Sequence, residues 1–356
     1  MHRRTFLTGT GAAGIAVAVP PRTDAAGDHT GGKVPVPAAA RRMPRVGSGD
    51  VAALCDAAEA VRHADSRYGG GSEDSQSAAS LLVSEAAPLL GGDCTPVVER
   101  ALCSVAAEIA RLAGWAAFDI GRHRIARGYF RQALYLAQAG GDEPLGAYVL
   151  ATMALQAMLG GQAADALDMT AGADRKAERA PRVRAFVCLV EARAHARQGA
   201  HRAASAALAA SEVLLDRAAA GAGHDPRWID FFTPARLAAD ATEIYRDLRN
   251  PRSCFFWDAQ AAVMAPSDFT RSVGMRLAVV GSARVQAGDL DQALALGHRS
   301  ADILNGVDSR RAQDYLRTLA AALSPWHGDP AVRTFLARIR PVPGIVPGDS
   351  GVPGRA

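Results

Sequence analysis

The stretch GWAAFDIGRHRIARGYFRQAL, residues Gly114–Leu134, decides the fold of this chain. Gly114 and Gly121 stand seven residues apart, and the small Ala126 precedes the large apolar Phe130 by four positions. Small residues let two antiparallel helices approach closely where they cross, and a large apolar residue on the second helix fills the remaining gap. The stretch therefore predicts a helical hairpin that turns at Gly121.

The same unit recurs four times further along the chain. In each unit a turn residue is followed five positions later by a small residue: Gly121 and Ala126, Gly161 and Ala166, Gly199 and Ala204, Arg249 and Cys254, Gly288 and Ala293. The steps between turn residues are 40, 38, 50 and 39 residues, longer than the roughly 34 of a strict tetratricopeptide repeat (TPR). The longest step carries an insertion at Ala218–Thr233, which contains the helix-breaking Pro226. We predict a TPR-like solenoid of helical hairpins wound as a right-handed superhelix. The alternative is a helical bundle with small residues at its crossings.

Composition supports an all-α fold. The 356 residues are 49% hydrophobic and 21% charged, enough to bury a core of one or two domains. Alanine, leucine and arginine favour helices, whereas alternating valine- and isoleucine-rich stretches are scarce. The net charge of +4 is small and lies largely in the first fifty residues, so we expect no direct nucleic-acid binding. The alternative is DNA binding through that basic arm.

The chain divides into three segments. Residues 1–50 form a signal-like or linker segment, which is rich in Pro, Gly and Ala beyond residue 20 and is expected to be disordered. Residues 51–340 form the repeat domain, in which Gly69–Gly71 break the first two helices and residues 308–340 form a capping pair. Residues 341–356 form a disordered tail rich in Pro and Gly.

The N-terminus MHRRTFLTGTGAAGIAVAVP, residues 1–20, resembles a twin-arginine export signal. Arg3 and Arg4 precede a weakly apolar run of small residues, as such signals require. The run is too short and too rich in glycine for a transmembrane helix, so we expect no stable membrane insertion. The alternative interpretation of this segment is an apolar linker.

We find no motif that carries chemistry. The five cysteines are scattered without a C-x-x-C pair, and the nine histidines show no metal-ligand spacing. No phosphate-binding loop and no G-x-S-x-G nucleophile motif occurs. We therefore expect no catalytic residue, no metal and no cofactor. The enzymatic alternative is an unrecognised site among Arg111, Asp119, His123 and His195.

The first helices of TPR units line a concave groove, so the register of the repeats predicts which side chains meet a ligand. The predicted groove residues are Arg111, Trp115, Asp119, Tyr148, Arg193, Arg197 and Glu243. Arginine beside aromatic residues suits the capture of a peptide or a carboxylate. The expected partner is a protein, a peptide or a small signal molecule. A homodimer is a further alternative. Alternatively, the aromatic residues belong to the core and the arginines form a solvated face.

Three stretches, Gly114–Ala157, Phe269–Leu304 and Arg311–Trp326, closely resemble the TPR region of actinobacterial transcriptional regulators. In that family an Xre-type helix-turn-helix domain precedes the helical array, and the resemblance covers roughly residues 50–340. It implies a non-enzymatic regulatory scaffold, but it transfers no binding residues. This sequence lacks the helix-turn-helix domain. Such regulators often carry a segment like Arg3–Leu7 between their two domains, so we expect a cytoplasmic protein, with twin-arginine export as the alternative.

Overall fold

The computed structural model describes residues 45–221 and 225–340, and this part of the chain is all-α, as predicted. Within these ranges no strand forms, and a single isolated bridge pairs Arg45 with Asp93. Val46 is buried beside this bridge, and the first helix begins at Ser48. Of the signal-like segment predicted over residues 1–50, residues 45–50 are described, and Ser48–Asp50 belong to the first helix. Residues 1–44 and the predicted tail 341–356 lie outside the described residues.

The helices are α1 (Ser48–Tyr68), α2 (Glu73–Leu81), α3 (Ala87–Leu90), α4 (Pro96–Asp119), α5 (His123–Gly140), α6 (Glu143–Leu159), α7 (Ala163–Lys176), α8 (Pro181–Arg197), α9 (His201–Ala219), α10 (Pro234–Asp247), α11 (Pro251–Ala261), α12 (Thr270–Gln286), α13 (Leu290–Leu304), α14 (Arg310–Leu323) and α15 (Pro330–Arg338). A π-helical turn, Leu82–Ala86, joins α2 to α3, and 3₁₀ turns occupy Arg227–Ile229 and Ser324–Trp326.

Five helical hairpins follow one another, and each turns at the residue that the sequence predicts. The five turn residues have left-handed backbones, with φ of 81° at Gly121, 85° at Gly161, 70° at Gly199, 53° at Arg249 and 79° at Gly288. At each turn the next N–H donates to the carbonyl five residues earlier, as at Arg122 N to Ala117 O (2.8 Å). These bonds close the C-terminal end of the first helix. The predicted hairpin turns are confirmed.

The small residues lie where the paired helices cross. A Cβ added at Gly114 would stand 2.7 Å from the Phe130 ring, and Ala126 and Phe130 are fully buried. Helix α4, which carries Gly114, is long and apolar enough by composition to cross a membrane. However, 83% of its most apolar window is buried inside the protein, so α4 serves here as the central core helix.

The first helices of the hairpins, α4, α6, α8, α10 and α12, pack side by side in chain order. Helix α14 continues this row beside α12 and also contacts α4. Helix α1 packs on α4 and reaches α12. We call α4, α6, α8, α10, α12 and α14 the inner helices. Because the last of them meets the first, they enclose an interior instead of an open groove.

The Gly69–Gly71 break forms the joint between the two ends of the array. Asp308 N donates to Tyr68 O (2.8 Å), and Gly71 N donates to Asp308 O (2.9 Å). Gly70 N donates to the Asp119 carboxylate (2.9 Å), and a Cβ at Gly70 would stand only 2.6 Å from Asp119 Cβ. Glycine is required here because the α1–α2 loop touches the end of α4 directly.

Candidate functional site

The interior holds a cavity of about 310 Å³, which we call the inner pocket. It is bordered by α1, the inner helices and the insertion between α9 and α10. This volume falls within the range of small-molecule sites. Seven of its 26 lining residues are arginines and six are aromatic, namely Trp115, Tyr148, Phe186, Trp228, Phe231 and Phe269.

The insertion provides the aromatic wall that faces α6. The Trp228 ring stacks on Tyr148 with centroids 5.0 Å apart and an interplanar angle of 13°. Phe231 packs at 6.3 Å from Tyr148, and Phe186 meets Tyr148 edge-on at 5.3 Å. The insertion is fixed to the array because Phe232 is fully buried beneath it. Sequence reasoning located the insertion by its length, and its aromatic content was the signal that could have identified it as a wall.

Arg111 also contacts Tyr148, with its guanidinium carbon 4.7 Å from the ring centroid. Its Nε and Nη2 both donate to the Glu108 carboxylate at 2.9 Å. Burial by itself disfavours the charged guanidinium, but the Glu108 carboxylate raises the pKa of Arg111, so the positive charge is kept. Arg62 Nε lies 3.5 Å from the same carboxylate. Two cations therefore share one anion at this wall.

A buried cluster of Arg193, Glu243 and Tyr315 crosses the interior beside the inner pocket, and we call it the partition. Arg193 Nη2 and Tyr315 Oη donate to Glu243 Oε2 at 2.5 Å and 2.6 Å. Burial opposes ionisation of Glu243, but Arg193, Arg197 and Arg246 lower its pKa to about 2. Burial beside this carboxylate raises the pKa of Tyr315 to about 12. The partition thus holds a fixed anion and a neutral phenol.

Beyond the partition, a second cavity of about 420 Å³ opens where the inner helices end. Its lining is more polar and includes His123, Arg197, Arg249 and Arg310. Burial and the nearby arginines lower the pKa of His123. Arg311 borders both cavities.

A second buried cluster joins the ends of the array, and we call Asp65, Asp119, Arg271 and Arg311 the closure cluster. Arg271 Nη1 donates to Asp65 (2.9 Å) and Asp119 (2.8 Å), and Nη2 donates to Asp65 (2.6 Å). Arg311 Nε donates to Asp119 (2.9 Å). Burial opposes the charge of Asp119, but Arg271 and Arg311 lower its pKa below the ordinary value. The cluster links α1, α4, α12 and α14 by charge.

The rim of the inner pocket is formed by exposed charged side chains. The Arg227 side chain is 88% exposed and lies 3.8 Å from Glu59 across the rim. His63 on α1 and Asp230 in the insertion stand beside them, both largely exposed. Exposed ion pairs of this kind are weak, so the rim leaves a path into the inner pocket.

The structure separates the seven predicted groove residues. Four line the inner pocket, namely Arg111, Trp115, Tyr148 and Arg193, whereas Arg197 borders the second cavity. Asp119 (0% exposed) and Glu243 (4% exposed) belong to the closure cluster and the partition instead of an open face. The reason is that the ends of the array meet, so carboxylates on inner faces become buried between arginines. Sequence reasoning missed Arg62, Arg271, Arg311 and Trp228.

The side chains of the enzymatic alternative do not converge on one place. Arg111 borders the inner pocket, His123 borders the second cavity, and Asp119 is fully buried in the closure cluster. His195 lies 3.7 Å from Glu191 one turn earlier on α8. Among residues 45–221 and 225–340, no group of three or more His, Cys, Asp or Glu side chains could hold a metal ion.

Comparison with models of known protein families gives no match, and no curated protein matches the chain.

Proposed function

We propose that this chain is a non-enzymatic, TPR-like binding protein that holds a ligand inside the inner pocket. The observation that carries this proposal is the cavity of about 310 Å³, which is lined by aromatic rings and by arginines. The buried Nε atoms of Arg62, Arg193 and Arg271 have no hydrogen-bond partner among the described residues. Cavities of this size with a few convergent polar groups are the usual form of ligand sites. The separation of Arg111, Asp119, His123 and His195 supports binding over catalysis.

The enclosed interior favours a small molecule, or the end of a chain, over an extended peptide. An extended peptide needs a groove that is open along its length, and the contacts of α14 with α4 and of α1 with α12 close this one. A ligand would enter past Glu59 and Arg227 at the rim.

The resemblance to the TPR region of regulators supports a sensing role. Arg62 of α1 and Arg311 of α14 both border the inner pocket, so a bound ligand touches both ends of the array. A ligand that binds only the closed arrangement stabilises it by its binding free energy. Occupancy of the inner pocket would thereby change which surface of the chain a protein partner meets.

Co-purification of a ligand tests this proposal. Wild-type protein is purified from its native cell extract, denatured, and analysed for released small molecules by mass spectrometry. Ser66 borders the inner pocket near the rim, and its hydroxyl donates to Asp268 O (2.6 Å). Ser66→Trp should exclude the ligand, whereas Ser205→Trp, on the exposed face of α9, should retain it. Equal recovery from all three proteins, or no recovery from any, would refute the inner pocket as a ligand site.

The cellular location is a separate part of the proposal. We propose a cytoplasmic protein, with twin-arginine export as the alternative. Intact mass distinguishes them: a chain shortened by about 25 residues outside the cytoplasm indicates a working export signal. A chain that keeps Arg3 and Arg4 inside the cell indicates a linker.

A further inference from the structure

The inner pocket has unbonded hydrogen-bond donors on the α1 and α4 side. The Glu108 carboxylate accepts hydrogen bonds from Nε and Nη2 of Arg111, whereas Nη1 of Arg111 has no hydrogen-bond partner among the described residues. Arg62 makes no hydrogen bond to any described residue, and its buried Nε has only the ion pair with Glu108 at 3.5 Å. The hydroxyl of Tyr148 has no hydrogen-bond partner in the described part of the chain, although Tyr148 is only 5% exposed. A buried donor without a hydrogen bond is costly, as at Arg62 Nε. Arg111 Nη1 and the Tyr148 hydroxyl are not fully buried, so they can meet an acceptor placed in the inner pocket.

The α10 and α14 side shows the same pattern. Arg236 donates through Nε to Asp240 (2.9 Å) and through Nη1 to Ser272 (3.0 Å), which leaves Nη2 unbonded within the described ranges. Arg311 donates through Nε to Asp119 and through Nη1 to the Met275 sulfur, so Nη2 has no hydrogen-bond partner among the described residues. Donors thus border the cavity on two sides.

The carboxylates around the cavity are already engaged or lie at the rim. Glu108, Asp65, Asp119, Asp240 and Glu243 each pair with arginine. Seven arginines line the inner pocket, namely Arg62, Arg111, Arg193, Arg227, Arg236, Arg271 and Arg311. Of the remaining lining acids, Asp230 and Asp268 are exposed and Glu59 is half-exposed at the rim. The lining therefore has more arginines than carboxylates, which suits an anion.

Flat apolar surfaces stand beside these donors. Trp228 stacks on Tyr148, and the half-buried rings of Trp115, Phe231 and Phe269 border the same space. Rings of this kind favour a planar aromatic guest through offset or edge-on contacts. Arginine forks match the two oxygens of a carboxylate.

On the basis of the proposed function, we propose that the inner pocket takes a planar aromatic carboxylate. Arg62 and Arg111 bind its acid group beside the Tyr148 hydroxyl, and its ring lies against Trp228 and the neighbouring aromatic side chains. The carboxylate of the ligand then accepts hydrogen bonds from Arg62, Arg111 and Tyr148.

Direct titration of the full chain with 2-naphthoate tests this inference, with isothermal calorimetry and tryptophan fluorescence as readouts. Two matched probes separate the two recognition elements: 2-naphthamide keeps the planar ring without the charge, and decalin-2-carboxylate keeps the charge without the planar ring. We expect 2-naphthoate to bind at least about tenfold more tightly than either probe, since a charged hydrogen-bond pair and a ring stack each contribute on that scale.

Two variants locate the binding. Arg62→Gln should weaken 2-naphthoate binding by about tenfold or more while leaving 2-naphthamide binding unchanged, because only the acid uses the charge. Trp228→Leu should weaken both naphthyl probes. Arg67→Gln, on the exposed face of the same helix as Arg62, is the control and should bind as wild type. Circular dichroism and thermal unfolding verify that each variant is folded.

Several outcomes would overturn the inference. If 2-naphthamide binds as tightly as 2-naphthoate, the inner pocket binds ligands but does not recognise a carboxylate, and the proposed function stands. If no probe saturates at millimolar concentration while a ligand co-purifies, the ligand class is again wrong and the proposed function stands. If no probe binds and no ligand co-purifies, both proposals fail.

Discussion

Replacing Arg271 with methionine tests whether the ends of the array are held together by buried charge. Arg271 is 5% exposed and donates three hydrogen bonds of 2.6–2.9 Å to Asp65 and Asp119. Methionine fills part of the space but leaves two carboxylates buried with one arginine, Arg311. Removing one partner of a buried pair costs about 3–5 kcal/mol, so we expect the free energy of unfolding to fall by that amount at neutral pH.

The control is the half-exposed pair of Arg184 and Asp174, which joins α8 to α7. Arg184 also makes a bidentate contact, at 2.6 Å and 3.1 Å, but both side chains are 38% exposed. Exposed pairs contribute at most about 1 kcal/mol. Arg184→Met should therefore lower the urea midpoint far less than Arg271→Met, although the two substitutions remove the same chemical groups.

The pH dependence provides a second test. Arg271 and Arg311 hold the pKa of Asp119 below its ordinary value despite its burial. A depressed folded-state pKa contributes stability above the unfolded pKa, about 3.9, and this contribution is lost as the pH falls through the folded pKa. Without Arg271, burial raises the pKa of Asp119, and acid neutralises the stranded carboxylate. The difference in stability between wild type and variant should be largest near pH 7 and should narrow below about pH 5.

Urea unfolding followed by circular dichroism, near pH 7 and below about pH 5, measures both the loss of stability in Arg271→Met and its pH dependence. A double-mutant cycle with Asp119→Asn isolates the pair, because contacting residues show a non-additive coupling. If Arg271→Met destabilises no more than Arg184→Met, or if its effect is the same at both pH values, the buried closure cluster as described is refuted.

Three further substitutions test the packing by thermal or urea unfolding. Gly70→Ala should lower the free energy of unfolding by roughly 1–3 kcal/mol because its Cβ would meet α4 backbone atoms. The control is Gly172→Ala in α7, where open space surrounds the glycine, and it should be neutral or stabilising by up to about 1 kcal/mol. Equal effects of the two substitutions would contradict a tight joint at Gly70. Ala126→Trp should destabilise by roughly 1–3 kcal/mol because the α4–α5 crossing is fully packed, and an unchanged melting temperature would contradict the register. Arg249→Gly should stabilise by about 1 kcal/mol because it relieves a left-handed backbone (φ 53°) in a side-chain-bearing residue; a loss of stability would show that the Arg249 side chain holds the turn.

The repeat pattern could be predicted from the sequence because it is local. Turn residues such as Gly121 need a left-handed backbone, and five residues later Ala126 faces the partner helix. Both requirements act within one hairpin of about 40 residues, so the same residue types recur along the sequence at about that spacing. Even Arg249, which breaks the glycine pattern, was located by its spacing to Cys254. The handedness of the winding stays a prediction.

The candidate site could be predicted only in part. The register placed Arg111, Trp115 and Tyr148 on the face that the first helices of the hairpins share, and all three line the inner pocket. Register says nothing about what stands opposite that face. Trp228 enters from an insertion without repeat spacing, and Arg271 and Asp65 meet across 206 positions of sequence.

Sequence alone determined that this chain is helical, that it turns at five spaced residues, and that small side chains occupy the helix crossings. These features depend on backbone conformation and contacts between neighbouring helices, which a linear pattern can encode. The tertiary structure alone decided that the first and last inner helices, α4 and α14, meet, so that a pocket with an open rim replaces the expected groove. The many small rotations between hairpins accumulate along the array, and no single residue specifies their sum. Closure also changed the surroundings of the charged groups: inward-facing Asp119 and Glu243 became buried partners of arginine, and Arg62 and Arg111 came to border the inner pocket.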